Sequence, residues 1–460
     1  MLLRIFNHFY KIIMRITHKI SILLAALSVL SSAAVAQDDQ HSIHLSISHP
    51  NGIYSAGEKI DVTAESTADF EEGLLMDVVI NGKTATKKGQ PISLKAGTKT
   101  VIYSGSWNEA TSVRVSLKKS GEKNAVSNIG FVVKPEDFRP GFEDPKDFDK
   151  FWAAQLKTMR KSKMKPILKP YELTGRLAKY ADKCECYSFE INMPEGRPAR
   201  GFIALPKDAV KKSLPIVMHF HGAGYSISNV NNAVMSAANM NAISIDMNAH
   251  GYEDVKEIAD ELGKTELKDY RCRPVTDHKS FYYRLMFLRD VRALDYAVTR
   301  PEWDGRRILV KGGSQGGGQS LAVAAIDDRV TAVFAEVPAL TDMGGNFSKH
   351  SGGWPGYYKS MAKGDNLANE LAVLPYYDGA TFARHIKAEK VWIEAGLVDS
   401  TCPPDCVISA FNVIPASVDK TLYTFPYRQH TTRRFDKEEM KLWKSTIDTP
   451  RMAEIKEYLK

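Results

Sequence analysis

The chain has 460 residues, enough for two to three domains, and its 43% hydrophobic and 25% charged residues exclude a disordered or fibrous protein. Its formal net charge of +8 points to no nucleic-acid partner. Half of that excess comes from Arg4, Lys11, Arg15 and Lys19, which sit with no acidic residue in the first 36 positions.

Residues 1–36 read as a secretory signal: a basic stretch, an apolar run at 20–30 and a small-residue cleavage site at 34–36. Met14 is an alternative start. The apolar run is shorter than a membrane span, so cleavage is expected in preference to an uncleaved anchor. The mature protein is then periplasmic or secreted, without stable membrane association. No lipobox cysteine precedes residue 37.

Residues 37–134 are expected to form an all-β domain. Segments 43–48, 59–66, 75–82, 98–107 and 113–120 alternate apolar with polar residues between Asn, Gly and Pro turns. Short strands over about 95 residues suggest an immunoglobulin-like sandwich. It carries no catalytic cluster, so its expected role is packing or spacing, with glycan binding as the alternative.

A Pro-containing linker at 134–145 leads into residues 135–460. An amphipathic helix is predicted at 147–161, with Phe148, Phe151, Trp152 and Leu156 near one face. Apolar runs at 214–220, 242–247, 306–310, 330–337 and 390–396 then alternate with helical patterns such as 287–299. That alternation predicts an α/β fold with a doubly wound, mostly parallel sheet, and functional residues at the carboxyl ends of its strands.

The stretch KGGSQGGGQ at 311–319 holds Gly312-Gly313-Ser314-Gln315-Gly316, a G-x-S-x-G pattern between a strand-like run and a helix-like one. This is the setting of a nucleophile elbow, with Gly312, Gly313 and Gly316 expected to supply space for the turn. A phosphate-cradling loop would end in Lys-Ser/Thr, which is absent. A serine nucleophile needs a histidine base and a carboxylate, in the order Ser, acid, His for this fold. Asp399 follows the run at 390–396, and His430 follows the next strand, at 420–425. Asp405 lies further toward a helix, and Asp419 precedes the strand, at the wrong end.

Two backbone N–H groups are needed for the oxyanion: that of Gln315, and one from the loop HFHGAGYS after the run at 214–220, assigned to Ala223. His219 and His221 have a spacing that zinc tolerates, but no carboxylate cluster accompanies them, so no metal and no cofactor are expected. Of the cysteines, Cys184, Cys186, Cys272, Cys402 and Cys406, an odd number leaves at least one unpaired in a monomer. Cys402 and Cys406 read as packing or an optional bridge.

DFDKFW (147–152), RPARGFIALP (197–206), HFHGAG, GGSQGG, GLVDSTCPP (396–404) and PYRQH (426–430) together resemble the acetyl xylan esterase / cephalosporin C deacetylase group. These are the family-seven carbohydrate esterases of the α/β-hydrolase fold. The resemblance spans about residues 135–460 and puts nucleophile, acid and base on Ser314, Asp399 and His430, with oxyanion donors on Ala223 and Gln315. It implies an exported serine esterase acting on an acetylated poly- or oligosaccharide such as xylan, without a cofactor; homo-oligomers are the expectation from a group in which rings are common, with their change or blockage by the preceding β-sandwich as the alternative. Departures from the pattern are MNAHGYED (247–254) where Arg-Gly-Gln is usual, Ala223 in place of a tyrosine, and Thr431 in place of a glutamate.

The Gly- and aromatic-rich segment 337–366 follows a strand pointing at the site and is expected to form a lid or pocket wall. Trp354, Tyr357 and Tyr358 are its candidates for stacking on sugar rings, with packing inside the lid as the alternative. A prolyl-oligopeptidase-type peptidase is disfavoured, because about 95 residues do not make a propeller. A non-catalytic glycan-binding protein on a hydrolase fold is disfavoured by the complete triad.

Overall fold

The computed structural model describes residues 43–84, 88–225 and 228–460. The expected signal at 1–36 lies outside them. No helix among the described residues is long and apolar enough to cross a membrane.

The first part of the chain forms β1 (Ile43–Ser46), β2 (Ile53–Tyr54), β3 (Ile60–Ser66), β4 (Phe70–Ile80), β5 (Lys83–Thr84), β6 (Gln90–Leu94), β7 (Thr100–Gly105), β8 (Thr111–Lys119) and β9 (Ser127–Val133). One sheet runs β1-β3-β7, and the other β2-β9-β8-β4-β5 with β6 on β4. Alternation decides which side chains face inward. Ile60, Val62 and Ala64 of β3 meet Leu74, Met76 and Val78 of β4 and Val113, Val115 and Leu117 of β8 in one apolar core.

Strand β9 was not legible from alternation, because Ile129 to Val133 are all buried. The structure supplies the reason: Ile129, Phe131 and Val133 enter the sandwich core, whereas Val132 enters the core of the second unit. A strand covered on both faces reads as a continuous apolar run.

The second unit is built on β10 (Pro166–Pro170), β11 (Cys184–Ile191), β12 (Ala199–Pro206), β13 (Leu214–Phe220), β14 (Ile243–Asn248), β15 (Trp303–Gly313), β16 (Ala332–Glu336), β17 (Lys390–Gly396) and β18 (Asp419–Phe425). Their order is β10-β11-β12-β14-β13-β15-β16-β17-β18. From β14 through β18 every neighbouring pair is parallel, while β10, β11 and β12 add an antiparallel edge. The mostly parallel, doubly wound α/β sheet is therefore present. All seven residues of β13 are buried, as expected for a strand with helices over both faces. Helix α1 (Phe148–Arg160) buries Phe148, Trp152, Leu156 and Met159. Helices α2 (Tyr282–Ala297) and α3 (Gln315–Ile326) are buried nearly all round.

The sandwich sits directly against the end of β18 and the loops that leave β17 and β18. Gly130 N–H donates to Pro426 O (2.9 Å), Tyr427 Oη to Leu45 O (3.0 Å) and Thr424 Oγ1 to Asn51 O (2.8 Å). The backbones come so close that a Cβ on Gly130 would lie 2.1 Å from Leu397 O. Gly130→Ala must therefore push β9 away from the segment leading to Asp399. The expected result is a loss of about 1–3 kcal/mol in unfolding free energy, with a lower kcat on any substrate. Denaturant titration and kinetics on one preparation check both.

Candidate active site

Strand register sets out the site. Gly313 of β15 pairs with Glu336 of β16, Glu336 with Glu394 of β17, and Gly396 of β17 with Phe425 of β18. The carboxyl ends of β15, β17 and β18 thus lie along one edge, and Ser314, Asp399 and His430 follow them.

Ser314 has φ 57° and ψ −123° and is the N-cap of α3. Such a conformation is unfavourable for a residue with a Cβ and persists only where the surroundings impose it. Ser314 N–H donates to Glu336 O (2.9 Å), and Ser314 O accepts from Ala339 N (2.8 Å). A Cβ on Gly312 would lie 2.6 Å from Phe220 O, and one on Gly316 only 2.0 Å from it. Glycine is required at both, because the strand-to-helix turn is pressed against the end of β13. Gly313 departs from the expectation: its nearest neighbours to a Cβ are 3.8 Å away, ordinary contact, so space does not demand glycine there.

Asp399 and His430 complete the chain of contacts. Asp399 Oδ1 accepts from the backbone N–H of Thr401 (2.7 Å) and Cys402 (2.9 Å). Oδ2 is left for His430 Nδ1 at 2.7 Å. An ionised carboxylate only accepts, so Nδ1 carries the proton and Nε2 is free to accept from Ser314 Oγ, 2.9 Å away. The Asp399 side chain is 0% exposed and that of His430 28%. The alternative acids serve elsewhere: Asp405 accepts from Ser112 Oγ and Ser351 N, and Asp419 pairs with Lys390 at the opposite end of the sheet.

Two residues before His430, Arg428 is buried between Glu336 and Glu394, and Arg451 also pairs with Glu394. Burial and the neighbouring Glu336 push the Glu394 carboxyl up, while Arg451 and Arg428 oppose this. This cluster ties β16 and β17 to the His430 loop; nothing in the linear pattern of these charges announces it.

The loop after β13 crosses the elbow: a Cβ on Gly222 would lie 3.7 Å from Ser314 Cβ, and Ala223 is the next residue. Gln315 opens α3, so its N–H is one of the unpaired donors of a helix start. Tyr270 joins these two segments. Its hydroxyl accepts from Gly224 N (2.9 Å) and donates to Gln315 Oε1 (2.7 Å). Burial pushes the Tyr270 phenol up to about 12, so it stays protonated. His250, from the divergent MNAHGYED stretch, donates through Nε2 to Gly224 O (2.6 Å) and accepts through Nδ1 from Tyr282 Oη (2.7 Å). Burial holds it near 3 and therefore neutral. Tyr270→Phe removes both bonds and frees the loop. We expect kcat about 10- to 100-fold lower with KM little changed, measured on an aryl acetate, while restoration of activity by any non-hydroxyl side chain would contradict the clamp.

His219 and His221 point to separate partners, Ser236 Oγ (2.8 Å) and Gly222 O (2.7 Å), and burial lowers both. Asp342, His350 and Cys406 lie within ligand reach of one another, but protein groups engage them. Asp342 accepts from Gly141 N and Ser409 Oγ, and Cys406 Sγ donates to Ser351 O. All five cysteines are free thiols, so the optional bridge between Cys402 and Cys406 is not formed.

The segment 337–366 starts by packing behind the elbow, through Ala339, and continues as the wall of a cavity of about 450 Å³ that also touches Asp399. Trp354 and Tyr358 line that cavity. Tyr357 does not: it is 4% exposed, its hydroxyl donates to Arg273 O, and its ring packs near Phe281. As a sugar platform Tyr357 is thus corrected to a core residue.

The model of the acetyl xylan esterase family matches residues 133–447. The acetyl esterase Axe7A of Xylanibacter ruminicola is 30% identical over 401 residues, covering 85% of this chain and 84% of its own. Among solved structures, an acetyl xylan esterase from Paenibacillus sp. R4 is 24% identical with a TM-score of 0.52, covering 67% of this chain and 96% of its own. Acetyl Xylan Esterase 1 from Thermoanaerobacterium sp. JW/SL YS485 gives the same identity and TM-score over 71% of this chain and 98% of its own. These two likenesses concern the fold.

Proposed function

The chain belongs to the acetyl xylan esterase family of carboxylic ester hydrolases, and from that premise we propose that it deacetylates xylan or its oligosaccharides through a Ser314-His430-Asp399 triad. The observation that carries this reading is the unbroken run of hydrogen bonds from Ser314 Oγ through the His430 ring to Asp399 Oδ2.

Ser314 Oγ attacks the acetyl carbonyl carbon while its proton passes to His430 Nε2. The imidazolium so formed faces the buried Asp399 carboxylate. The developing oxyanion takes the N–H groups of Gln315 and Ala223. His430 then protonates the departing sugar hydroxyl, leaving an acetyl-Ser314 ester. A water, deprotonated by His430, attacks that ester, and His430 returns the proton to Ser314 Oγ as the acyl–oxygen bond breaks, releasing acetate and the free serine. No cofactor enters these steps.

Residues 37–134 are read as an immunoglobulin-like sandwich domain and 135–460 as the catalytic domain of an exported protein, delivered to the periplasm or the medium by the segment 1–36. Family membership places the activity with esters, not with the peptides of a prolyl-oligopeptidase. Acetate release from acetylated xylan, with no cleavage of prolyl peptides, is the expected result for purified protein. The converse pattern would overturn the reading.

Trp354 and Tyr358 are proposed to offer their ring faces to sugar units. Trp354→Ala should reduce kcat/KM about 10-fold for acetylated xylo-oligosaccharides and much less for an aryl acetate. Equal losses on both, together with a lower Tm, would assign the indole to packing.

A further inference from the structure

The 450 Å³ cavity is walled on one side by the sandwich and on the other by the loop carrying Asp399. Asn81 and Arg114 come from the sandwich, and Trp354, Tyr358, Ser400 and Thr401 from the catalytic unit. Its charge is one-sided. Lys83, Arg114 and Lys359 line it, and the only carboxylate among the lining residues is Asp399, already engaged by His430, Thr401 and Cys402.

Arg114 is the informative member. In β8 it pairs with Val79 and Gly130, and it lies between the core residues Val113 and Val115, so it projects from the outer face of the sandwich toward the catalytic unit. It is half-buried, and among the described residues its guanidinium makes no hydrogen bond or ion pair. Burial lowers its pKa from the ordinary arginine value, and Asp399 and Asp77, both beyond ion-pair reach, oppose this. A half-buried guanidinium that no protein group engages keeps its N–H groups free for a ligand carboxylate. Other donors around it are also open. Asn81 Oδ1 accepts from Ser112 N, which leaves its Nδ2 unused, and the Ser400 and Thr401 hydroxyls and the Trp354 indole N–H have no partner among the described residues.

We propose that this cavity is a subsite for a uronic acid unit of the acetylated saccharide, with the sugar carboxylate on Arg114 and a ring face on Trp354 or Tyr358. Planar, charge-assisted pairing explains the arginine. The unused donors suit sugar hydroxyls and ring oxygen, and the aromatic faces suit sugar C–H groups. The sandwich thereby forms half of a binding site in addition to bracing the triad loops. This inference rests on the saccharide-esterase reading above.

The test is calorimetric titration of the Ser314→Ala protein with acetylated xylo-oligosaccharides of one length, with and without a glucuronic acid branch, and with an oligogalacturonate as the backbone-uronate arm. The branched ligand or the oligogalacturonate should bind about 10-fold or more tightly than the neutral one, with the advantage shrinking as salt is raised and lost in Ser314→Ala/Arg114→Gln. Equal affinities with and without uronate, or an advantage that survives Arg114→Gln, overturn the proposal. Should Arg114→Gln fail to fold, the methyl ester of the uronate replaces it: ester and neutral ligand should bind alike, and an ester binding as tightly as the free acid is contradictory. Turnover of the neutral oligosaccharide by the unmodified protein reports on the esterase reading separately.

Discussion

Ser314→Ala is expected to lower kcat/KM for an aryl acetate by about 10⁴-fold or more, with Tm nearly unchanged. The size follows from the role. Without Oγ no acyl-enzyme forms, and only orientation and the N–H groups of Gln315 and Ala223 remain to assist water. Stability is spared because the backbone bonds that hold the strained φ of 57° run through Ser314 N and O, not through the side chain. Retention of more than a few per cent of activity would remove Ser314 from the mechanism.

Asp399→Asn should cost nearly as much, about 10⁴-fold in kcat, for a different reason. Asparagine keeps an oxygen for the N–H groups of Thr401 and Cys402 but turns an NH₂ toward His430 Nδ1. That nitrogen must then accept, so the proton moves to Nε2, which no longer accepts from Ser314 Oγ. The fold is preserved while the base is lost. Activity within about 10-fold of the parent would mean that another carboxylate orients His430.

Much of this site could be read along the chain because its parts are local. The elbow is five consecutive residues, and the buried parallel strands β13 and β17 have the bounds read from mostly apolar runs, interrupted by His219 in the one and by Lys390 and Glu394 in the other. Asp399 and His430 follow from chain order and from strand ends.

What escaped notice depends on partners brought together only by folding. Tyr270 acts on Gly224 and Gln315 from a loop with no periodicity, and Arg428 finds its partners on β16 and β17. Strand β9 looked like no half-exposed strand because two cores share it. For Tyr357 the sequence leaves sugar stacking and packing both open, since an aromatic residue in a Gly-rich segment looks the same whether it faces sugar or packs near Phe281. The sandwich carries no catalytic cluster, so packing or spacing is what its sequence suggests, without naming the residues that pack. Gly130 against the Leu397 backbone is a packing contact that only folding brings together.

The central claim is that an acetyl group passes through Ser314, and mass spectrometry of protein quenched in acid during turnover of an acetylated xylo-oligosaccharide tests it most directly. The account predicts an acetyl adduct confined to the peptide containing Ser314, absent from Ser314→Ala and accumulating in a variant slowed in deacylation. Acetate release with an adduct on another residue, or turnover with Ser314 blocked by a fluorophosphonate, would contradict it.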